Sequence, residues 1–526
     1  MNSNSVDLLK FRHGVPGEID ALLREARDCG VELKVSAGKL RFDAPAGAMS
    51  DRLRAALGQY REAIVAALRG PAFRARGPVE TAPLVYHYRD LFKKLRTGEL
   101  GVEYANSTHS VFRFTGHLNT KGLIAGIRAV LDRHPILGAR AQIRGGVPVF
   151  VYSRDVNVYF SDESHGTDAE RTPRVQALID DLVWRPFDLE RETLFRPFVV
   201  KVAPLTHVMG FVIHHLIGDL ISIALATQDI FRGYAGLRTG SAESPALQYS
   251  DYLLEMEEWL LSVALRYRLD YWMRRLLGVR DSCLEPDFTV SPDEGGTLRS
   301  EMLDLPGSRP DDLRELASRL GVTLFTLLLA IYYCTLRRQL DRSDLVILMM
   351  HHGRDHPGLA KMVGSFQNQI PVRIGVAAET GFSGLAQSIQ EYCSSSSEQY
   401  VPYGNIRHEF FRTQTSHVFP ELNFVPLAAG ATRGGEHDAL KAEPTRQPPT
   451  RRTAGEHPYH VMDIAMLDSR VKLKCTYLDI LFRRDTIARH LQVFAEIALQ
   501  VISHPYSTVG TICKPSLCSA VAGQGA

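Results

Sequence analysis

Residues 206–222, THVMGFVIHHLIGDLIS, place two adjacent histidines and an aspartate where an apolar run gives way to a turn. Imidazole is the side chain whose ordinary pKa lies nearest neutrality, so a histidine presented to a cavity can take up or release a proton during group transfer. Val208 to Ile213 read as a buried strand, His214 and His215 follow it, Gly218 marks a turn, and Asp219 heads a new apolar run. Successive strand side chains point to opposite faces, so His214 and His215 face apart if the strand runs through both. That argues against both holding one metal ion, and predicts one buried structural histidine and one presented to a cavity. A lone histidine beside an apolar strand is more often a satisfied core residue than a catalyst, so the chemical reading rests on the group as a whole.

The chain that must position this group has 526 residues, enough for two or three domains with a large core. Its 61 basic and 59 acidic residues leave a net charge of +2, which gives no reason to expect nucleic acid as a partner. The start, MNSNSVDLLKFRHG, lacks a long apolar stretch, and no run of about 18 apolar residues occurs anywhere, so a soluble, cytoplasmic protein with no membrane partner is expected. Seven scattered cysteines without close zinc-type pairing suit reduced thiols. No metal site is expected.

Residues 1–70 read as a small α+β domain. Ile19, Leu22, Leu23 and Ala26 share one helix face that stops at Gly30, VELKV and KLRFDA alternate as a hairpin, and Ser50 caps one further helix. On the hairpin Val31, Leu33 and Val35 share a face, as do Leu40 and Phe42, which sends Glu32, Lys34 and Arg41 outward. Residues 71–82 are rich in Gly, Pro and charge and read as a linker. Residues 428–458 are similarly rich in Gly, Ala, Pro, Thr and charge and read as a mobile loop, and 516–526 as a tail.

The motif HHLIGDL resembles the HHxxxDG of nonribosomal peptide synthetase condensation domains, whose superfamily includes chloramphenicol-acetyltransferase-like acyltransferases. The resemblance implies that His215 is the active-site residue and Asp219 structural; the closing Gly is Leu220, whose Cβ is expected to restrict the backbone there. It extends through RHPILGAR, similar to RHExLRTxF with Pro135 in place of Glu and Arg140 one residue beyond the usual second Arg, through LQYSDYLLEMEEWL, and through VGSFQNQIPVR, similar to IGxFVNTLPLR. Asn368, near the middle of that last segment, is expected on a stretch crossing between lobes. Gly353 and Arg354 fit the Gly-Arg that ends a strand in condensation domains. Epimerisation domains carry an acid/base Glu where this chain has Met350, which disfavours epimerisation. Arg354 is the expected partner of Asp219, with Arg140 the alternative, since an unpaired buried carboxylate would cost several kcal/mol.

The implied fold is α/β: two chloramphenicol-acetyltransferase-like lobes, 83–260 and 261–515, in a V-shaped pseudo-dimer after the small domain. The small domain resembles the tubulysin-synthetase type of β-hairpin docking domain, which implies that Lys34, Lys39 and Arg41 select the acidic C-terminal tail of a carrier protein by strand addition. The implied activity is transfer of an acyl chain from the phosphopantetheine arm of a carrier protein to a hydroxyl or amine, free or carrier-bound, with no permanently bound cofactor. Neither a carrier-type GGxS serine nor room for an adenylation domain is present, so a freestanding enzyme is expected, similar to chain-releasing, ester-forming domains of the kind seen in enacyloxin biosynthesis. A non-catalytic recruitment module is the alternative, for which Leu220 and Pro135 are the support.

Overall fold

The computed structural model describes residues 17–36, 38–97, 107–235, 247–291, 294–307, 309–397, 399–413, 419–425, 440–442, 451–453, 460–467 and 469–514. The start of the small domain, the tail at 516–526 and most of 428–458 lie outside the described residues.

The N-terminal unit is α1 (Gly17–Asp28), the hairpin β1 (Glu32–Ser36) and β2 (Lys39–Asp43), then α2 (Asp51–Gln59) and α3 (Arg61–Ala67). Ile19, Leu22, Leu23, Ala26, Val31, Leu33, Leu53, Leu57 and Ile64 form its own apolar cluster. The single helix expected after Ser50 is two. Ser50 Oγ accepts from Leu53 N–H, but the helix breaks at Tyr60, two residues after a helix-weakening glycine, where the hydroxyl donates to Glu18. Phe42, expected to be buried, is 52 % exposed on the outer strand of a two-stranded sheet. The unit is anchored to the rest of the chain at Tyr267, which joins the same cluster and whose hydroxyl accepts from Leu33 N–H at 2.8 Å, and by Arg27, which pairs with Asp270.

The stretch read as a linker is not loose. Ala72 N–H donates to Glu255, Arg76 bonds Asp251, Glu255 and Glu258, and the last residues enter β3 (Thr81–Pro83). After β3 come α4 (Arg89–Thr97), β4 (Ser107–Thr115), α5 (Thr120–Arg133), β5 (Ala139–Arg144), β6 (Val147–Tyr152), β7 (Tyr159–Asp162), α6 (Asp168–Trp184), β8 (Phe195–Ala203), β9 (Thr206–His214), α7 (Leu220–Tyr234) and α8 (Tyr249–Trp259). Strand β9 is central in its sheet, between β4 and β8, which explains its unbroken apolar run. Helices α5 and α7 touch backbone to backbone at Gly126 and Gly233, where a Cβ on either would enter the other helix.

The second half holds α9 (Val263–Leu276), β10 (Gly295–Asp304), α10 (Pro310–Leu320), α11 (Leu324–Leu340), β11 (Asp344–His351), β12 (Asn368–Gly375), α12 (Phe382–Ser397), α13 (Tyr403–Thr413), β13 (Glu421–Val425), β14 (Leu440–Ala442), β15 (Arg451–Thr453), β16 (His460–Met466), β17 (Val471–Leu478), α14 (Arg484–Ser503) and α15 (Val509–Ile512). Seven strands run in the order β12-β11-β13-β16-β17-β10-β15. Helix α11 is buried almost all round beneath them, which is why its sequence lacks a polar stripe. No single described helix is long and apolar enough to cross a membrane.

Two expectations change here. The segment read as a mobile loop supplies two strands: β15 adds to β10, and β14 adds antiparallel to β4 in the first sheet. Composition misses such short backbone pairings, because they need no apolar run. Asn368, midway along the segment expected to cross between lobes, opens β12, which pairs with β11 inside the second sheet; the strand that joins the other lobe's sheet is β14.

Candidate active site

Strand β9 ends at His214, and the chain turns through 215–217 into α7. His214 is 3 % exposed; its Nδ1 accepts from Leu216 N–H, and burial, with His215 and Arg196 nearby, drives its pKa to about 3. It is a neutral core residue. His215 stands in the turn and is less enclosed. Its Nδ1 lies 3.2 Å from the carbonyl of Gly218. A carbonyl can only accept, so Nδ1 carries the proton and Nε2 keeps its lone pair. Among the described residues Nε2 has no hydrogen-bond partner. Burial lowers the pKa of His215 below the usual imidazole value, opposed by the Gly218 contact and the charge of Asp219. The site therefore offers a neutral imidazole, held in one tautomer, with a free basic nitrogen.

Asp219 caps α7, accepting from Ser222 N–H at 2.9 Å and Ser222 Oγ–H at 2.8 Å. It is 1 % exposed and is met from the second lobe by Arg354, whose two guanidinium nitrogens donate to its carboxylate at 2.5 and 2.9 Å. Arg354 also bonds the carbonyls of Met362 and Gly364 and lies 4.4 Å from the centre of the Phe366 ring. Gly353 makes the turn that delivers it, at φ +68°, where an added Cβ would overlap the Phe366 carbonyl.

Arg140, the other basic residue considered for Asp219, is on β5, and its Nε is buried without a hydrogen bond. Leu220 is not restricted by its Cβ. It occupies the first helical position of α7 with ordinary backbone angles and its side chain 47 % exposed. Asn368 ties the lobe internally, donating to Val401 C=O at 2.9 Å and accepting from Tyr403 N–H at 2.8 Å. Lys34 faces Arg41 across the hairpin, and Lys39 lies at its turn.

Sequence reasoning missed Ser222, which bridges the lobes by bonding both N–H and C=O of Gly364. A serine three residues after a helix-capping aspartate is the local signal that was present. Tyr249 makes a second bridge, its hydroxyl donating to Ser365 C=O at 2.8 Å. Among the described residues one His/Asp group has metal-like spacing, His351, His352 and Asp355, but both Nδ1 atoms already accept from the N–H groups of Gly353 and Arg354.

The family model for the condensation domain matches residues 102–516. The chain belongs to the condensation domain family. Residues 19–69 also match the TubC N-terminal docking domain. This condensation domain is 26 % identical to chondramide synthase cmdD of Chondromyces crocatus over 322 residues, 60 % of this chain and 8 % of that protein. It is 25 % identical to tyrocidine synthase 3 of Brevibacillus parabrevis over 326 residues, 61 % and 5 % of the two chains. It thus spans less than a tenth of either relative. Among solved structures, that of condensation domain-mediated chain release from the enacyloxin polyketide synthase covers 94 % of this chain and 96 % of its own at TM-score 0.64 and 21 % identity. The EpoB cyclization-docking bidomain from Sorangium cellulosum covers 93 % and 99 % at TM-score 0.66 and 20 % identity. The two-lobed acetyltransferase-like fold is thereby shown, and condensation domains catalyse acyl or peptidyl transfer from carrier-bound phosphopantetheine.

Proposed function

We propose that this condensation domain transfers an acyl chain from a carrier-bound pantetheine thioester to the hydroxyl of a small free acid or alcohol, releasing the chain as an ester. The observation that carries the reading is the free Nε2 of a neutral His215, its Nδ1 pinned on Gly218. A neutral amine needs no base to attack a thioester, whereas a hydroxyl gains from one that removes its proton as the C–O bond forms. The attacking oxygen loses its proton to Nε2, the tetrahedral intermediate collapses, and the pantetheine sulfur leaves and regains a proton. Asp219 and Arg354 hold the loop and take no part in proton transfer. The recruitment-module alternative loses its support at Leu220, since the helix start accommodates that side chain.

The carrier is selected at the hairpin. On β1, Leu33 N–H is already engaged by Tyr267, while no other described strand covers the outer edge of β2. Lys34 and Arg41 oppose each other across the strands, a like-charge pair that an acidic segment adding beside β2 would relieve. The test is intact-protein mass spectrometry of a loaded donor carrier with free alcohols, hydroxy acids and amines. Loss of the acyl group to a hydroxyl acceptor supports the reading. Release only to amines, or only when the acceptor is itself on a carrier, overturns it.

A further inference from the structure

The described cysteines differ in their surroundings. Cys29 is exposed, Cys283 and Cys475 are buried, and Cys393 meets Met349 Sδ at 3.6 Å, with burial pushing its thiol up to about 12. The remaining two meet each other. Cys334 lies midway along α11 with no exposed surface, and Cys513, half-buried, closes α15. The Cys513 sulfur stands 3.4 Å from the Cys334 carbonyl, and the two thiols share a hydrogen bond. Backbone contacts set this meeting without help from either sulfur. Val509 N–H donates to Thr380 C=O at 2.8 Å and Gly510 N–H to Ala378 C=O at 2.7 Å, while Val509 and Ile512 are buried in the main core. Two cysteines 179 positions apart are thus held within hydrogen-bonding reach. Their chemistry is unequal. The Cys334 S–H, and after it the charges of Arg337 and Arg338 in the last turn of α11, draw the Cys513 thiol below its ordinary pKa against the opposing effect of burial. Arg338 divides its charge with Glu496, to which it is paired at 2.8 Å. Cys334 moves the other way, held protonated by the same thiol contact and by burial.

We propose that Cys513 and Cys334 form an oxidation site at which a hydroperoxide converts the two thiols to a disulfide, stapling the chain that follows α14 onto the central helix of the second lobe. Cys513 attacks first, being the half-exposed member of the pair and the one with thiolate character. Its sulfur takes one oxygen from the hydroperoxide: an S–O bond forms, the O–O bond breaks, and the remaining oxygen leaves as water or an alcohol after gaining a proton. Cys334 then gives up its proton and attacks the Cys513 sulfur; the S–S bond forms, the S–O bond breaks, and the hydroxyl leaves with that proton as water. The two thiols lose two electrons between them and the O–O bond takes both. An accessible thiol of lowered pKa beside a buried resolving thiol stops at the disulfide instead of passing on to sulfinic acid. The site lies on the helical side of the second sheet and does not depend on the acyl-transfer reading.

The test uses the full chain, reduced and then exposed to a small excess of hydrogen peroxide, with free thiols alkylated before digestion. The peptide map without reductant should show Cys334 joined to Cys513, lighter by two hydrogens than the separate reduced peptides. The oxidised protein should melt at least about 4 °C above the same protein treated with dithiothreitol. Cys513→Ser, at a half-exposed position, should lose both the cross-link and the gain in Tm. In Cys334→Ala, dimedone should label Cys513 after peroxide, which marks it as the thiol oxidised first. Should that core variant fail to fold, the order is read in the unaltered reduced protein, where brief exposure to iodoacetamide at neutral pH should modify Cys513 ahead of Cys393. Joining of Cys513 to any cysteine other than Cys334, Cys518 included, overturns the site, as does Cys513 carried to sulfinic acid with Cys334 still free. A cross-linked protein whose Tm matches the reduced one overturns the staple.

Discussion

Arg354 grips Asp219 through both guanidinium nitrogens from the opposite lobe, so the loop that presents His215 is held by a residue 135 positions away. With side chains 3 % and 1 % exposed, neither partner has water to fall back on. Removing one leaves the other charged, buried and unpaired. Asp219→Ala or Arg354→Ala should lower stability by about 3–5 kcal/mol, read as a fall in Tm or in the denaturant midpoint. A variant of either with unchanged Tm would show that the pair is not structural.

His215→Ala should behave in the opposite way. It removes an imidazole from a turn and breaks one contact to Gly218, so Tm should stay near that of the unaltered protein while transfer falls by at least about a hundredfold. A variant that keeps its rate removes His215 from the mechanism.

The pH profile should carry the same signature. Because burial depresses the pKa of His215 below 6.5, the neutral base persists to lower pH than a free imidazole, and kcat/KM should stay level through pH 6.5 and fall only below it. A rate that halves at or above pH 6.5 contradicts a depressed value.

Stability has its own acid limb, set elsewhere. His460 and His490 lie edge to face at 5.1 Å in the second lobe, and burial holds His490 at about 4 and His460 well below 6.5. The unfolded chain binds protons below pH 6.5 that these folded imidazoles refuse, so stability is complete above that value and declines as pH falls toward 4. Thermal melts from pH 7.5 to 4.5 should show this slope, and His490→Gln should flatten it; an unchanged slope places the acid sensitivity in other groups.

Gly353→Ala should be among the costlier single-methyl substitutions in the chain. It combines a left-handed backbone with a Cβ driven into the Phe366 carbonyl, and so displaces Arg354 as well. A marked loss of Tm is expected, and transfer should drop with it. A stable, active variant would mean that the turn can be rebuilt without glycine.

Much of the site was legible because it is local. The change from an apolar strand to His-His, turn and capping aspartate lies within one short segment, and Arg354 follows its own strand in the same way. What escaped was whatever depends on backbone meeting backbone or on distant side chains. Leu220 read as a restriction only while its place was taken for a turn; as the first residue of α7 it has room. Tyr267 carries no motif and is 234 positions from the Leu33 amide it accepts from. Segment 428–458 was judged by composition, which is blind to a three-residue strand whose pairing comes from its neighbour.

That three-residue strand has a mechanical meaning. The chain leaves the second sheet at β13, lays β14 against the outer edge of β4 in the first, and comes back to β15. The lobes are buttoned together there, and again at Asp219 and Arg354. Prising them apart would have to undo these fastenings together with the Ser222 and Tyr249 bridges beside the second of them. On the acyl-transfer reading proposed above, the body of the donor would then stay outside the joined lobes.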